Sequence, residues 1–227
     1  MNIIDRFFRI VLTIILTITL ASCDSGNINK VKDSVFYDID TSMTIGKAFS
    51  TRTDCERGKW SEEKDARGRS IVTYTCSLPE RYLEHVNDIT FSSLDRTFTI
   101  MTNYIASRMK VIESSSLIMD KYRKKLIDLE QANKDKNKLL TLEKVDAYTK
   151  WMVTDSGGVE LVSSEIASHY GNKTVTIKFN QPKEAVALAY ADFREDRIPT
   201  MYINAMKKSV QKDYDAFVSS ISNNERL

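Results

Sequence analysis

Few residues of this chain have side chains that could act as nucleophiles, general bases or soft metal ligands. Its 227 residues contain three cysteines and two histidines. Catalysis by a Ser-His or Cys-His pair places a histidine beside the nucleophile, with an acid that orients the ring. His85 lies in a polar helical segment and His169 at a strand end, so surface roles are favoured for both. No serine lies in a nucleophile-elbow pattern, and the sequence predicts no catalytic residue.

Other signatures of catalysis or cofactor binding are also missing from the sequence. Gly157-Gly158 lies in a predicted turn rather than in a phosphate-binding glycine loop. The adjacent carboxylates Glu62-Glu63 and Glu195-Asp196 are typical of solvated faces, and a hydrolase that uses two acids has no further support. No Cys or His lies at metal-ligand spacing from the cysteines. The sequence therefore predicts no metal and no cofactor.

The N-terminal segment has the composition of an export signal. Residues 1–9 form a short, positively charged head, residues 10–20 are apolar and uncharged, and small residues precede Cys23. These are the parts of a secretory signal peptide. A membrane-spanning helix needs about 17–25 apolar residues, and the uncharged run stops before Asp24. We therefore expect cleavage of residues 1–22.

Leu20-Ala21-Ser22-Cys23 resembles the lipobox of bacterial lipoproteins, in which an aliphatic and two small residues precede an invariant cysteine. The resemblance implies that Cys23 receives a diacylglycerol and that its new amino group is acylated, for example with palmitate. Stable anchoring needs more than one acyl chain, and a triacylated Cys23 meets that need. Asp24 resembles the inner-membrane retention signal of enterobacterial lipoproteins, with the outer membrane as the alternative. An ordinary secretory signal is the alternative for the whole segment.

The remaining cysteines and the charge balance restrict the possible partners. Because Cys23 is assigned to lipid, Cys55 and Cys76 are left as a pair, which predicts a disulfide in an exported protein. Two free buried thiols or a metal-binding pair are the alternatives, and the missing ligand spacing disfavours the metal. The 33 Lys and Arg nearly balance the 31 Asp and Glu, so no basic excess supports nucleic acid as a partner.

Hydrophobic periodicity predicts an α+β fold with an antiparallel sheet. A hairpin is predicted around the turn at residues 65–68, and a three-stranded meander in the C-terminal half. We expect both to join one sheet, with Cys55 and Cys76 near the open end of the hairpin. The predicted strands cover residues 59–64, 69–77, 146–154, 159–170 and 173–180.

Helical patterns separate and follow these strands. Apolar residues repeat every seven positions from Phe98 to Leu126, which predicts a long middle helix with a coiled-coil-like stripe. Ser114-Ser115-Ser116 leaves open whether this region is one helix or two, and the polar residues 131–138 are expected to end the helix or form a loop. Two C-terminal helices begin near Pro182 and Pro199, and the last is expected to pack on the middle helix.

The predicted domain organisation has three parts. Residues 1–22 are the signal peptide, residues 23–34 are the lipidated cysteine and a polar tether, and residues 35–227 are a single periplasmic domain. A helical insert at about residues 80–143 separates the two strand groups. One domain is favoured over two because each strand group needs the other as a partner.

A second resemblance is confined to residues 44–72. It rests on Thr44-Ile45-Gly46-Lys47-Ala48-Phe49, Cys55, Gly58-Lys59-Trp60 and Arg67-Gly68-Arg69-Ser70-Ile71-Val72. This segment resembles uncharacterised enterobacterial proteins of prophages, plasmids and genomic islands. The resemblance implies no chemistry.

These features predict a non-catalytic, lipid-anchored periplasmic protein of the inner membrane that binds another envelope component, in an envelope-stress or surface role. The helical part is expected to be the working surface, because a lone apolar stripe can receive a partner.

The basic clusters Arg123-Lys124-Lys125 and Lys207-Lys208 could contact lipid headgroups, although a solvated helix face is the simpler interpretation. Met101, Met109 and Met119 are assigned to the core rather than to an adaptable groove. The alternatives are an exclusion or immunity lipoprotein of a phage or plasmid, and a periplasmic hydrolase.

Overall fold

The computed structural model of the protein describes residues 25–111, 116–191 and 198–222. The lipobox, Asp24 and the Glu195-Asp196 pair lie outside these residues. The described chain is a mixture of helices and antiparallel sheets, which confirms the predicted fold class. In chain order the elements are α1 (Ser25–Asp33), β1 (Val35–Phe36), β2 (Asp40–Thr44), α2 (Ile45–Ser50), β3 (Arg57–Lys64), β4 (Ser70–Ser77), α3 (Glu80–Val111), α4 (Ser116–Leu140), β5 (Leu142–Val153), β6 (Val159–Tyr170), β7 (Lys173–Lys178), α5 (Pro182–Tyr190) and α6 (Thr200–Ser222).

The larger sheet joins the predicted hairpin to the predicted meander. Its strand order is β3-β4-β5-β6-β7, and all neighbours are antiparallel. β4 and β5 pair from Ser70↔Val153 to Ser77↔Asp146, although the helical insert separates them in sequence. Gly68 ends the turn between β3 and β4 with a φ of 77°, a conformation that glycine adopts without strain. The smaller sheet pairs β1 with β2.

The main core lies where aromatic side chains of the sheet meet α2. Trp151 of the central strand β5 is fully buried. Its ring centroid is 5.1 Å from that of Phe49 in α2 and 5.5 Å from that of Trp60 in β3. The side chain of Thr44 accepts a hydrogen bond from the backbone N–H of Lys47, so Thr44 caps the N-terminus of α2.

Residues 25–33 form a helix, although their polar composition predicted a tether. Val31 of α1 is fully buried in the main core. The amide of Asn27 donates hydrogen bonds to Glu62 (2.8 Å) and Ser70 (3.0 Å). The tether prediction is therefore wrong for these residues, because Val31, the partly buried Ile28 and the Asn27 amide attach α1 to the core and the sheet.

Cys55 and Cys76 lie at disulfide distance, with Cα atoms 5.5 Å apart. Cys76 is fully buried on β4 and is paired in register with Gly58 of β3. The two cysteines therefore lie at the open end of the hairpin, as the sequence predicted.

Between β4 and β5 the chain forms a helical hairpin of α3 and α4. The region predicted as one helix or two forms two helices, of 32 and 25 residues. Lys136 of α4 forms an ion pair with Asp95 of α3, so the helices run antiparallel. Residues 131–138 lie inside α4, and the predicted loop is wrong. Lys136 is 8% exposed and its ammonium lies 5.6 Å from the Phe98 ring, because its aliphatic stem packs against the apolar surface.

The last helix, α6, packs on the base of this hairpin. The Phe98 and Phe217 rings are 6.0 Å apart, and the Tyr170 hydroxyl donates to the backbone carbonyl of Ser209 and to Asp213. The predicted packing of the final helix on the middle helix is confirmed. The three helices enclose a second cluster of buried side chains, namely Leu94, Phe98, Met101, Ile105, Leu129, Leu140 and Ile221.

Candidate functional site at the end of the helical hairpin

The sheet brings together a serine, a carboxylate and a histidine that no sequence motif connects. Ser77 donates a 2.8 Å hydrogen bond to Asp146, and His169 Nε2 is 3.7 Å from the same carboxylate. Lys144 is 2.6 Å from it, and this hydrogen bond raises the pKa of Lys144. The carboxylate therefore stands between the serine and the histidine. A nucleophilic triad needs the histidine between the other two, so this order does not activate Ser77.

The other candidate residues from the sequence do not form a site. His85 is exposed on α3. Glu62 is half-buried beside α1, whereas its neighbour Glu63 is exposed. Among the described residues, no group of three or more His, Cys, Asp or Glu side chains could hold a metal ion. No described helix is long and apolar enough to cross a membrane.

A buried ion pair joins the loop after α2 to α6 and has a structural role. Arg52 donates to both oxygens of Asp54, at 2.9 and 2.7 Å, and to the Tyr202 hydroxyl at 2.7 Å. The side chains of Arg52 and Asp54 are 2% and 1% exposed. Burial opposes the charge of Arg52, but Tyr202 and Asp54 together raise its pKa above the usual value. Its donors are directed at protein partners rather than at a ligand.

The described side chains of the heptad stripe are buried or partly buried by packing inside the protein. Phe98, Met101 and Ile105 of α3 are buried against Leu129 of α4 and against α6. The described part of the stripe is therefore not a free surface, which removes the lone apolar stripe as a reason for a helical working surface. Met101 is in the core, as assigned, and Met109 packs against the same cluster.

A different part of the hairpin is open. We call residues 104–111 and 116–125 the hairpin end. Its inner side chain Ile105 is buried in the cluster around Ile221, but no described element covers its outer side, because the contacts of α6 with the hairpin lie nearer the sheet, from Ser93 to that cluster. Large apolar side chains are exposed there: Tyr104 is 41%, Val111 79%, Leu117 71% and Ile118 38% exposed. Clustered apolar exposure of this kind marks interaction surfaces.

The hairpin end also concentrates positive charge. Asp120 is its one described acidic residue, and it is 3.3 Å from Arg123. The chain as a whole is nearly balanced, so the excess is local. Its basic residues are Arg108, Lys110, Lys121, Arg123, Lys124 and Lys125.

Tyr104 and Arg108 form an ordered pair on this surface. Arg108 Nε donates to the Tyr104 hydroxyl at 3.2 Å, and the guanidinium carbon lies 5.3 Å from the ring centroid. The hydrogen bond raises the pKa of Arg108. Tyrosine and arginine are among the residue types that contribute most to protein interfaces. The pair is therefore suited to contacting a partner.

α1 begins at one end of the sheet, and the helical hairpin extends from the other end. Asn27 of α1 contacts Ser70 beside the turn between β3 and β4. The Asn87 side chain of α3 exchanges hydrogen bonds with the backbone of Leu142, at the other end. From Asn87 to Val111, α3 continues for about 36 Å at 1.5 Å per residue. The hairpin end therefore lies far from α1.

Comparison with known proteins adds no relative to this description. The chain matches no known family model, no curated protein and no solved structure.

Proposed function

We propose that this protein is a non-catalytic lipoprotein, anchored through Cys23 on the periplasmic face of the bacterial inner membrane, that binds another envelope component through its hairpin end. One observation carries the proposal: the hairpin end combines exposed apolar side chains with local positive charge, beyond the part of the hairpin that α6 covers. A solvated helix face needs charge but no exposed Val111 or Leu117.

The position of α1 supports a surface directed away from the anchor. The lipidated residue would precede α1, which begins near the turn between β3 and β4. The hairpin leaves the other end of the sheet. A partner in the periplasm is therefore favoured over the headgroups of the anchoring membrane. The order Ser77–Asp146–His169 supports a non-catalytic role.

Two substitutions test the anchor. Cys23→Ser should release the protein from membranes or leave an unprocessed precursor, and Asp24→Ser should move it towards the outer membrane in an enterobacterial host. Membrane fractionation with labelled fatty acid measures both. Unchanged processing and lipid labelling of Cys23→Ser would rule out the lipobox, and a wild-type protein in the outer membrane would rule out retention by Asp24.

Co-purification of envelope proteins with the lipidated chain tests the working surface. A variant with Val111→Ser, Leu117→Ser and Ile118→Ser should stay folded and membrane-bound but lose the proteins that co-purify with wild type. The matched control is Tyr37→Ser with Val162→Ser, since both side chains are exposed elsewhere. Equal recovery from wild type and the hairpin-end variant, or recovery of lipid alone, would contradict the proposed function.

A further inference from the structure

The faces of α3 and α4 that receive α6 continue beyond it. On α3, the Ser93 hydroxyl is 2.8 Å from the Tyr214 hydroxyl of α6. Residues that are 4, 7, 11 or 18 positions apart share one face of a helix. Tyr104 and Val111 are 11 and 18 residues after Ser93, and Arg108 is four residues after Tyr104. The α6-facing side of α3 therefore continues through these three residues.

The same continuation occurs on α4. Leu139 lines a cavity of about 220 Å³ together with Asp213 and Phe217 of α6. Steps of seven residues keep one face of a helix, and two such steps back from Leu139 lead to Lys125. Ile118 and Lys121 lie seven and four residues before Lys125. The α6-facing side of α4 therefore continues through these basic and apolar residues.

By this helical spacing the two continued faces line one groove, and no described helix lies over it. We call it the distal groove, and its walls are Tyr104, Arg108, Val111, Ile118, Lys121 and Lys125. At the base of the hairpin, α6 fills the equivalent groove with Tyr214, Phe217 and Ile221. Past Ser222, the last described residue of α6, no described element does so. Within the described residues, the packing of three helices thus gives way to two helices, and the groove lies between the same two helix faces.

We propose that the distal groove binds an acidic amphipathic helix of a partner protein, which continues the place that α6 takes at the base. This inference rests on the proposed function and names the chemistry of its partner. Three apolar side chains provide contacts for one stripe of such a helix, as in other helix-in-groove complexes. Arg108, Lys121 and Lys125 flank them and complement carboxylates.

The positive charge of the distal groove favours an acidic helix over a second copy of the chain as its partner. Two hairpin ends would place like charges against each other, which costs free energy. The surface from Tyr104 to Val111 is about 10 Å long at the helical rise per residue. Two to three turns of a partner helix therefore cover it.

Two synthetic peptides provide the probe. Each is about 18 residues long, or five turns, with leucines along one face, and they differ in carrying glutamate or lysine on the flanks. The protein is the full lipidated chain in nanodiscs of zwitterionic lipid, and fluorescence anisotropy of the labelled peptide measures binding. The glutamate peptide should bind saturably and more weakly at higher salt, whereas the lysine peptide should not bind.

Charge reversal locates the binding. Lys121→Glu with Lys125→Glu should weaken binding of the glutamate peptide by roughly fivefold, as expected for two charge pairs at the protein surface. The matched control is Arg123→Glu with Lys134→Glu. These two residues are 11 positions apart on another face of α4, and each is 65% exposed. The control should change the affinity less than about twofold.

Each remaining outcome overturns the inference. Binding of neither peptide, equal binding of both, or equal losses in the two charge-reversal variants excludes an acidic helix in the distal groove. Displacement of the glutamate peptide by phosphatidylglycerol vesicles assigns the surface to lipid. One of these outcomes can occur while the variant with Val111→Ser, Leu117→Ser and Ile118→Ser still loses the envelope proteins that co-purify with wild type. In that case the proposed function stands, and only the acidic helix is the wrong partner for the distal groove. If co-purification is unchanged, the proposed function itself fails.

Discussion

The hydroxyl groups of Ser93 on α3 and Tyr214 on α6 are 2.8 Å apart, and this contact fixes how α6 runs along the hairpin. One turn further, Phe217 of α6 meets Phe98 of α3. α6 therefore runs parallel to α3, away from the sheet. The hairpin end extends past these contacts, so the exposed surface follows from the relative lengths of three helices rather than from any single motif.

The buried Arg52–Asp54 pair should be required for stability. Arg52→Ala leaves the Asp54 carboxylate buried without its partner, and we expect a loss of about 3–5 kcal/mol in the free energy of unfolding. Urea unfolding followed by circular dichroism measures it. Arg69→Ala is the matched control, because its pair with Asp65 lies at the protein surface, with side chains 47% and 22% exposed, and surface pairs contribute about 0–1 kcal/mol. Equal losses in the two variants would contradict the structural role of Arg52.

Asp213 should contribute to the acid sensitivity of the fold. The hydrogen bond from Lys173, with a further one from Tyr170, lowers the pKa of Asp213. A lowered folded-state pKa gives stability that is present above the ordinary pKa of about 4 and is lost as the pH falls through the lowered value. Asp213→Asn should therefore reduce the pH dependence of urea unfolding in this acid range. An unchanged acid limb in that variant would contradict the role of Asp213.

Tyr170 provides the matching test at alkaline pH. Burial, together with Asp213, raises the pKa of Tyr170 to about 12. A raised folded-state pKa gives stability that is present below the ordinary pKa of about 10 and is lost as the pH rises through the folded value. Tyr170→Phe should remove one late-titrating tyrosinate from the ultraviolet absorbance titration. A titration curve identical to that of wild type would contradict this assignment.

Cys55 and Cys76 should be joined by a disulfide in the exported protein. The bond closes a loop with a sequence separation of 21, and the chain-entropy model gives about 3 kcal/mol for a loop near this size. Reduction should therefore destabilise wild type by that amount and leave Cys55→Ser with Cys76→Ser unaffected. Mass spectrometry of alkylated, unreduced peptides checks the bond directly. Free alkylation of both thiols in freshly isolated protein would exclude it.

Val31→Ala should destabilise the fold if α1 is part of the core. Loss of this fully buried side chain should cost about 1–3 kcal/mol, measured by urea unfolding of the full chain. The control is Asn29→Ala on the exposed side of the same helix, for which we expect a change within about 0.5 kcal/mol. Equal stability of both variants would support the tether that the sequence predicted.

The sheet could be predicted because its strands carry local signals. Val175 and Ile177 alternate with Thr174 and Thr176, and Gly68 marks a turn, so period and turn chemistry agree. The Cys55–Cys76 pair followed from counting cysteines once Cys23 was assigned to lipid. The strand inferences use neighbours in sequence and the cysteine inference uses a count, and the described residues agree with both.

The errors occurred where tertiary contacts decide the structure. α1 has a single fully buried residue, Val31, with Ile28 partly buried beside it and an amide that contacts the sheet, so its apolar pattern is too short to reveal a helix. Lys136 lies in a polar run that favours a loop, but in the folded chain its stem packs on Phe98. The distal groove could not be predicted because it depends on where α6 lies along α3, which sequence spacing does not define.

Site-specific photocrosslinking in living cells tests the central claim most directly. A photoreactive amino acid at Leu117 of the lipidated chain is compared with one at Tyr37, which is 81% exposed elsewhere in the fold. We expect Leu117 to give a discrete adduct with an envelope protein, through an acidic helical segment identified by mass spectrometry, and Tyr37 to give none. Adducts from Tyr37 alone, or only lipid at Leu117, would contradict a lipoprotein that binds its partner through the hairpin end.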